Sequence, residues 1–416
     1  MLALGRDAGS RLDHMNILML ADVFFPDTTG GAGKVLHNLC AELSTRGHEV
    51  HVITRNPCGR LPAHEVVKPG FRVHRFLVDQ SKPCSMLFNE LRNSSSSVQD
   101  VARMVPFDFL CIHQAFAATG PVLLSRFLKD LPLVYFFHSP WHEEFLIKDL
   151  AGAKIRYRLG APLLRTIERK LVSRASLVTV LSDFMGDKVS REHGFPEGRI
   201  RKLPCGIDLR RFVLPPGDKT VAKKRAGIPP DRVVFLTIRN LVPRMGLDSL
   251  IRAVHKSATI KEKGLLFIGG SGALEGTLKQ MVKDLDLDGT IRFLGYLPED
   301  RLPETYQWAD FFVLPTRQLE GFGLVILESM ACGTPVLGTP VGAIPEIIGA
   351  FDKRLLFDGP GWQDLARKIE LVIEERERYS FDPMACRRFV EENYSWAKMA
   401  EHFEKQIAEF IPFPCP

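Results

Sequence analysis

Two carboxylates dominate the chemistry legible in this chain. Glu320 and Glu328 bracket the run Glu320-Gly-Phe-Gly-Leu-Val-Ile-Leu-Glu328, directly after the apolar segment ADFFVLP. The segment reads as a strand and the run as the start of a helix near Gly323, which puts Glu320 at the strand mouth and Glu328 about one and a half turns into the helix. The N–H groups of Phe322, Gly323 and Leu324 then stand at the positive end of that helix. Carboxylates accept hydrogen bonds from sugar hydroxyls, and such N–H groups hold phosphate. The combination suits a nucleotide-sugar, although two glutamates near a helix start could also serve only as partners of its dipole.

Other anion-binding signals are weaker. Gly30, Gly31 and Gly33 lie between a first strand and its helix, where glycine permits close approach of a phosphate. The loop is neither a Walker A motif, which Thr28 and Val35 break, nor a dinucleotide fingerprint, which lacks its third glycine at Leu36. A second cluster, Gly269-Gly270-Ser271-Gly272, follows the strand LLFI. In TIRNLVPRMGLDSL, Arg239 and Arg244 fall at a strand end and in the next turn, where guanidinium groups could clamp a diphosphate or simply face solvent.

Metal chemistry finds little support in the spacing. Asp284, Asp286 and Asp288 with Gly289 imitate a calcium loop, but Gly295 stands where its closing glutamate belongs, so a solvated surface is expected. His138, His142 and Glu143 do not fit H-E-x-x-H, and Pro140 interrupts the helix that motif needs. No metal and no cofactor are expected.

The elements that must position these residues alternate throughout. Asn16 to Ala21, EVHVIT, FDFLCIH, LVYFFH and LVTVLS read as strands separated by helical periodicity, and RVVFLTI, LLFIGG, IRFLGY, ADFFVLP and TPVLGTP form a second series. The expected class is α/β, with two doubly wound Rossmann-like domains facing a central cleft. The first spans 16–212, a Pro- and Gly-rich linker 213–230, and the second 231–385; amphipathic helices at about 386–412 are expected to return to the first.

Composition narrows the class further. The chain has 416 residues, 45% hydrophobic and 25% charged, ordinary values for a soluble globular protein. A net charge of +6 is small for this length, so a nucleic-acid tail is not expected, while room is left for an anionic ligand or surface. Cys40, Cys58, Cys84, Cys111, Cys205, Cys332, Cys386 and Cys415 form no C-x-x-C pair and read as reduced, largely buried thiols. The first fifteen residues have no apolar core of signal-peptide length, and no run is long enough to span a bilayer. A cytoplasmic protein is expected. The stretch Lys154 to Arg174 is basic, with Leu163, Leu164, Ile167 and Leu171 at helical spacing. It reads either as a core-facing helix with a solvated side or as a face that docks on an anionic membrane.

The strings FHSPW at Phe137 to Trp141, VLSDFM, PCGIDLRRF, GGSG, FLGYLPEDRLPETYQWADFFVLP and EGFGLVILESMACGTPV, together with the Gly30–Gly33 loop, resemble the retaining glycosyltransferases of family 4, the glycosyl transferases group 1 set. The resemblance covers Asn16 to about Glu409 and implies the GT-B fold. It implies that Glu320 holds donor-sugar hydroxyls and Glu328 the ribose. The Phe322–Leu324 amides and Gly31 would line the sugar diphosphate, Gly270 the second glycine loop, and Gly295 and Tyr296 the base. His138 would stand near the transferred sugar, among Tyr135, Phe136, Phe137, Trp141 and Phe145, which read as an acceptor pocket or as core. Where the family carries an arginine and, five positions on, a lysine, this chain has Asn240 and Met245; Arg239 and Arg244 keep that spacing one position earlier.

The resulting expectation is a metal-independent, retaining hexosyl- or N-acetylhexosaminyl-transferase. It would move sugar from a nucleotide diphosphate to a glycan or lipid-linked acceptor in polysaccharide or glycolipid synthesis, in the cytoplasm or, where the 154–174 stretch docks on lipid, at the inner face of a membrane. The rivals are an epimerase or hydrolase of the same fold and a non-enzymatic nucleotide-sugar sensor. A dehydrogenase fits poorly without the dinucleotide fingerprint.

Overall fold

A computed structural model describes residues 14–28, 30–56, 59–78, 83–124, 128–147, 154–217 and 219–411, with only the backbone course for 83–88 and 154–159. The first thirteen residues, Cys58, Cys415 and the side chains of Cys84, Lys154, Arg156 and Arg158 lie outside that description. The chain forms two compact units, one ending at Gly206 and resuming at Trp396, the other running from Ile207 to Ser395.

The first unit is built on an eight-stranded sheet in the order β3-β4-β2-β1-β5-β6-β7-β8. Its strands are β1 (Asn16–Leu20), β2 (Glu49–Asn56), β3 (His64–Lys68), β4 (Phe71–Leu77), β5 (Phe109–Ile112), β6 (Leu133–Phe137), β7 (Leu177–Val180) and β8 (Ile200–Lys202). All pairs are parallel except the β3–β4 hairpin. The central strands are buried on both faces, which explains why β5, β6 and β7 read as continuous apolar runs rather than alternating ones. The hairpin, which the sequence reading does not contain, lies at the edge, and β3 is mostly exposed and polar.

The second unit has a five-stranded parallel sheet in the order β11-β10-β9-β12-β13. Its members are β9 (Val233–Ile238), β10 (Gly264–Gly269), β11 (Ile291–Gly295), β12 (Phe311–Leu314) and β13 (Val336–Gly338). The helix Leu247–Lys256 shows how sequence builds this layer. Leu247, Leu250, Ile251 and Val254 recur at helical spacing and are buried, and the next helix is capped by Ser257 accepting from Ile260 N at 3.1 Å. In each sheet the strand order reverses beside one strand, β1 or β9, and ligands of such sheets bind beyond the carboxyl ends at that reversal.

The boundaries differ from the sequence expectation in three places. Residues 207–212 belong to the second unit, and 213–230 contains a helix, Lys219–Arg225. Of the two C-terminal helices, Pro383–Asn393 stays with the second unit, held by Arg387 donating to the carbonyls of Phe212, Ala331 and Leu209 at 2.7, 3.2 and 3.1 Å. Only Trp396–Phe410 returns to the first. Its Phe403 packs on Phe109, and Glu404 takes a bidentate pair from Arg46 at 2.6 and 2.7 Å.

Cys40, Cys111, Cys205, Cys332 and Cys386 are buried free thiols. Among the described residues no helix is long and apolar enough to cross a membrane.

Candidate active site

Four loops converge beyond the carboxyl ends of β9, β10, β12 and β13, and backbone contacts weld them together. Gly270, at φ +115, lies so close to the loop after β9 that a Cβ would stand 1.9 Å from the Arg239 carbonyl oxygen. Its N–H donates to Gly295 O at 2.7 Å, which ties in the loop after β11. Gly246 packs equally closely on the Pro315 carbonyl, and Arg244 O accepts from Arg317 N at 2.8 Å. Gly342, at φ +62, would place a Cβ 2.3 Å from Glu320 O, which accepts instead from Ala343 N at 2.9 Å. The glycine at each of these contacts is required by neighbouring backbone.

Glu320 is therefore held from behind by the loop after β13. Leu319, immediately before it, takes φ +52, a conformation that costs a non-glycine residue about 1–3 kcal/mol and persists where surroundings over-determine it. The Glu320 carboxylate is paired. Arg239 Nη2 lies 2.5 Å from its Oε2, with both side chains largely removed from water, and the same nitrogen lies 2.7 Å from Met245 Sδ. Arg244 goes elsewhere: its Nη1 donates to Leu319 O at 2.6 Å. The two arginines expected to act as one clamp thus have different partners. One neutralises Glu320, and the other supports the strained residue beside it.

Glu328 lies deeper. It is the fifth residue of the helix Leu324–Ala331, is 4% exposed, and its Oε2 accepts from Tyr306 Oη at 2.8 Å. Burial, reinforced by the Glu328 charge, pushes the Tyr306 hydroxyl well above its ordinary pKa, so it remains a donor. The helix is preceded by Gly323 at φ +92, and its first-turn N–H groups have no acceptor within the helix. Phe322 is buried with its ring 6.0 Å from that of Tyr394, whereas Tyr296 is 60% exposed. The acidic run is a turn, with the helix Glu275–Asp284 ending at its first member and Asp286 at φ +51.

In the first unit, Gly31 is exposed and opens the helix Gly31–Thr45, preceded by Gly30 at φ +141. Gly33 serves packing, since a Cβ there would meet Phe25 N at 3.1 Å. His138 immediately follows β6. Its Nε2 lies 3.0 Å from Nδ1 of His113, which follows β5, and both rings stack on Phe136. Burial pushes the His138 pKa down to about 3, so the imidazole is neutral at physiological pH. Sequence reasoning missed His113, although its place one residue past a strand repeats that of His138. Tyr135, Phe136 and Phe137 prove to be core, while Trp141 is partly exposed and packs against Phe116.

A second missed cluster lies at the ends of β1 and β2. Arg55 sits over the Phe116 ring at 4.6 Å, pairs with Glu90, and lies 3.7 Å from Asp22 Oδ1. Asp22 in turn accepts from Ala117 N at 2.6 Å. Burial pushes Glu90 up to about 7 despite Arg55. The helix Lys154–Arg174 buries Glu168 and Leu171 and leaves Leu163 61% exposed beside the exposed Arg165 and Arg169.

Two doubly wound parallel sheets, one in each unit, are the architecture of the GT-B glycosyltransferases. Residues 218–396 match the glycosyl transferases group 1 family, and residues 29–211 match glycosyltransferase family 4. D-inositol 3-phosphate glycosyltransferase 2 of Catenulispora acidiphila is 30% identical over 84% of this chain and 83% of its own length. The GDP-mannose-dependent alpha-(1-6)-phosphatidylinositol monomannoside mannosyltransferase of Mycolicibacterium smegmatis is 30% identical over 58% of this chain and 65% of its own. Among solved structures, sucrose-phosphate synthase from Thermosynechococcus elongatus superposes with a TM-score of 0.79 at 20% identity, covering 95% of this chain and 98% of that one. The chain belongs to the group 1 glycosyltransferases.

Proposed function

We propose that this protein is a retaining glycosyltransferase that moves a sugar from a nucleotide diphosphate to an anionic glycan or lipid-linked acceptor in glycolipid or polysaccharide synthesis. The observation that carries the reading is the Arg239–Glu320 pair beside the start of the helix holding Glu328. A diphosphate offers Arg239 a better-matched anion, and the departing guanidinium frees Glu320 to accept from donor-sugar hydroxyls. Glu328 accepts from the ribose, and Tyr306 keeps its second oxygen oriented.

Negative charge grows on the leaving diphosphate as its bond to the sugar breaks. Arg239, the amides of Phe322, Gly323 and Leu324, the Gly270 loop and Gly31 stabilise that charge without a metal at the phosphates. Arg244 contributes by holding Leu319, and Tyr296 borders the base. His138, neutral and fixed by His113, hydrogen-bonds the sugar or the attacking hydroxyl instead of carrying charge. The leaving phosphate takes the acceptor proton, a front-face course that retains configuration.

The acceptor class is supported by the names of two relatives, whose acceptors are an inositol phosphate and a phosphatidylinositol mannoside. A cytoplasmic protein resting on the inner membrane face is consistent with the exposed Leu163 between basic residues.

The test is a thermal-shift screen of UDP-, GDP- and ADP-sugars, followed by transfer to inositol 3-phosphate and to phosphatidylinositol with the product anomer assigned by NMR. A donor that raises the melting point and yields an α-linked product from an α-linked donor supports the reading. Donor consumption without acceptor would indicate a hydrolase or epimerase, and tight binding without turnover a sensor.

A further inference from the structure

Two cations of the first unit meet on one oxygen atom. Arg165 and Arg169 stand about one turn apart on the exposed side of the helix Lys154–Arg174. Arg165 Nη2 donates to the main-chain oxygen of Glu192 at 3.2 Å, and Arg169 Nη2 donates to the same oxygen at 2.8 Å. Glu192 belongs to the one-turn π-helix Val189–His193, and basic side chains often hold the last carbonyls of a helix. The carbonyl takes one N–H from each arginine, whereas a guanidinium carries five.

Among the described residues neither guanidinium pairs with a carboxylate, because the carboxylates nearby are engaged elsewhere. Lys188 pairs with Glu143 and, at 2.9 Å, with Glu192 Oε1. Glu168 is buried on the inner side of the same helix, where it accepts from Trp141 N at 3.0 Å and Tyr135 Oη at 3.1 Å. The charge of the pair is felt inside the unit. Burial first, with Arg165 and Arg169 adding to it against Glu192, pushes His193 down to about 4. Like charges held this close repel, so an anion placed between them is stabilised by both.

The space beside the pair suits a phosphate ester. Arg165, Arg169 and His142 line the polar side of a cavity of about 480 Å³, and Leu146, Ala161 and Pro162 line its apolar side. Guanidinium groups form paired hydrogen bonds to phosphate oxygens, and their planar fork matches phosphate geometry. The volume leaves room for the group esterified to the phosphate. Leu146 and Leu163 stand 39% and 61% exposed on the two helices that form the cavity, Trp141–Ile147 and Lys154–Arg174.

We propose that Arg165 and Arg169 form a phosphate-binding site on the first unit, built from residues that take no part in holding the donor diphosphate. The ligand is a phosphate monoester, carried either by a lipid headgroup or by a soluble ester. The lipid source rests on the membrane placement given under the proposed function, with Leu146 and Leu163 entering the apolar layer beside the headgroup. The soluble source is independent of that placement.

The test uses the full chain and two probes: glycerol 3-phosphate in calorimetric titration, and flotation on phosphatidylcholine vesicles with or without phosphatidic acid, whose headgroup is the same monoester. Saturable binding to at least one phosphate probe is expected, weakened at least about tenfold in Arg165→Gln/Arg169→Gln, since two charge-assisted contacts are lost. Titration with the ester assigns a soluble source, and flotation on phosphatidic acid alone assigns the lipid. Lys170→Gln removes the same charge from the neighbouring exposed position outside the cavity and should keep the binding that Arg169→Gln loses. If the double variant folds poorly by circular dichroism, Arg165→Lys/Arg169→Lys keeps both charges without the fork and should bind several-fold more weakly. A wild-type chain that binds neither probe overturns the site. Equal losses in Lys170→Gln and Arg169→Gln overturn it too, because the general charge of the helix would then account for the binding. Nucleotide-sugar titration of the same proteins should be unchanged, so this site can fail while the transferase reading stands.

Discussion

Arg239 and Glu320, 81 positions apart in the chain, meet at 2.5 Å beyond the carboxyl ends of neighbouring strands. Met245 Sδ lies 2.7 Å from the same guanidinium nitrogen. The positive charge at this point comes from an arginine six residues before Met245, and it rests on the carboxylate that the proposed function gives to the donor sugar.

Removing one partner of this pair leaves the other charge desolvated, which typically costs about 3–5 kcal/mol. Arg239→Ala should therefore lower stability by about that amount and weaken donor binding at least tenfold. Arg239→Met combined with Glu320→Gln should cost less stability than the sum of the two single changes. Denaturant melts of the wild type and these four variants, with calorimetric titration of the donor, check both points. Additive losses would show that the pair contributes no coupling.

Arg244→Ala should behave differently. Its guanidinium supports the Leu319 carbonyl, and a charge-assisted hydrogen bond of that kind contributes about 1.5–3 kcal/mol. Turnover should fall through misplacement of Glu320 while affinity for the nucleoside diphosphate alone changes little. A drop in nucleoside diphosphate affinity equal to that of Arg239→Ala would instead make it a phosphate ligand.

Gly342→Ala places a methyl group against Glu320 O in a left-handed backbone. Activity should be nearly abolished and the unfolding midpoint lowered by the equivalent of about 2 kcal/mol or more, as expected where neither strain nor space is available. Gly349→Ala is the control. It lies in the helix Ile344–Phe351 with its nearest neighbour 3.6 Å from a new Cβ, so it should be neutral or mildly stabilising. Equal effects of the two changes would remove the argument for a backbone brace.

Stability should fall as pH drops below about 6.5, the ordinary histidine value. Burial pushes His74 and His138 down to about 4 and 3, and lowers His37, His51 and His113 as well, so the unfolded chain binds protons that the folded chain refuses. Glu90 opposes them. Pushed up to about 7, it contributes stability below its unfolded pKa that is lost as pH rises through about 7. His74 and His138 against Glu90 leave about one proton, roughly 1.4 kcal/mol per pH unit between pH 4.5 and 6, and the other histidines steepen this. Urea midpoints at pH 5 and 7 measure it; an unchanged or higher midpoint at pH 5 contradicts the buried neutral imidazoles.

Much of this molecule is legible in one dimension because its chemistry is local. Both glutamates, the helix start between them and the glycine loops lie in short segments, and strands buried on both faces announce themselves as apolar runs. Alternating strands and helices were enough for two doubly wound sheets, and Glu320, Glu328 and His138 each lie at the carboxyl side of a strand as their segments require. Partner choice is not local. Arg239 takes Glu320 and Arg244 takes Leu319, although their spacing presents them as equivalents. His113 reaches His138, His142 meets Glu168 and Glu192, and His193 meets Glu168, only because separate segments fold together. The same holds for Gly342, whose need for a missing side chain is created by the Glu320 carbonyl across the site. A charge finds its partner through burial and distance, and those quantities exist only once the sheets have formed.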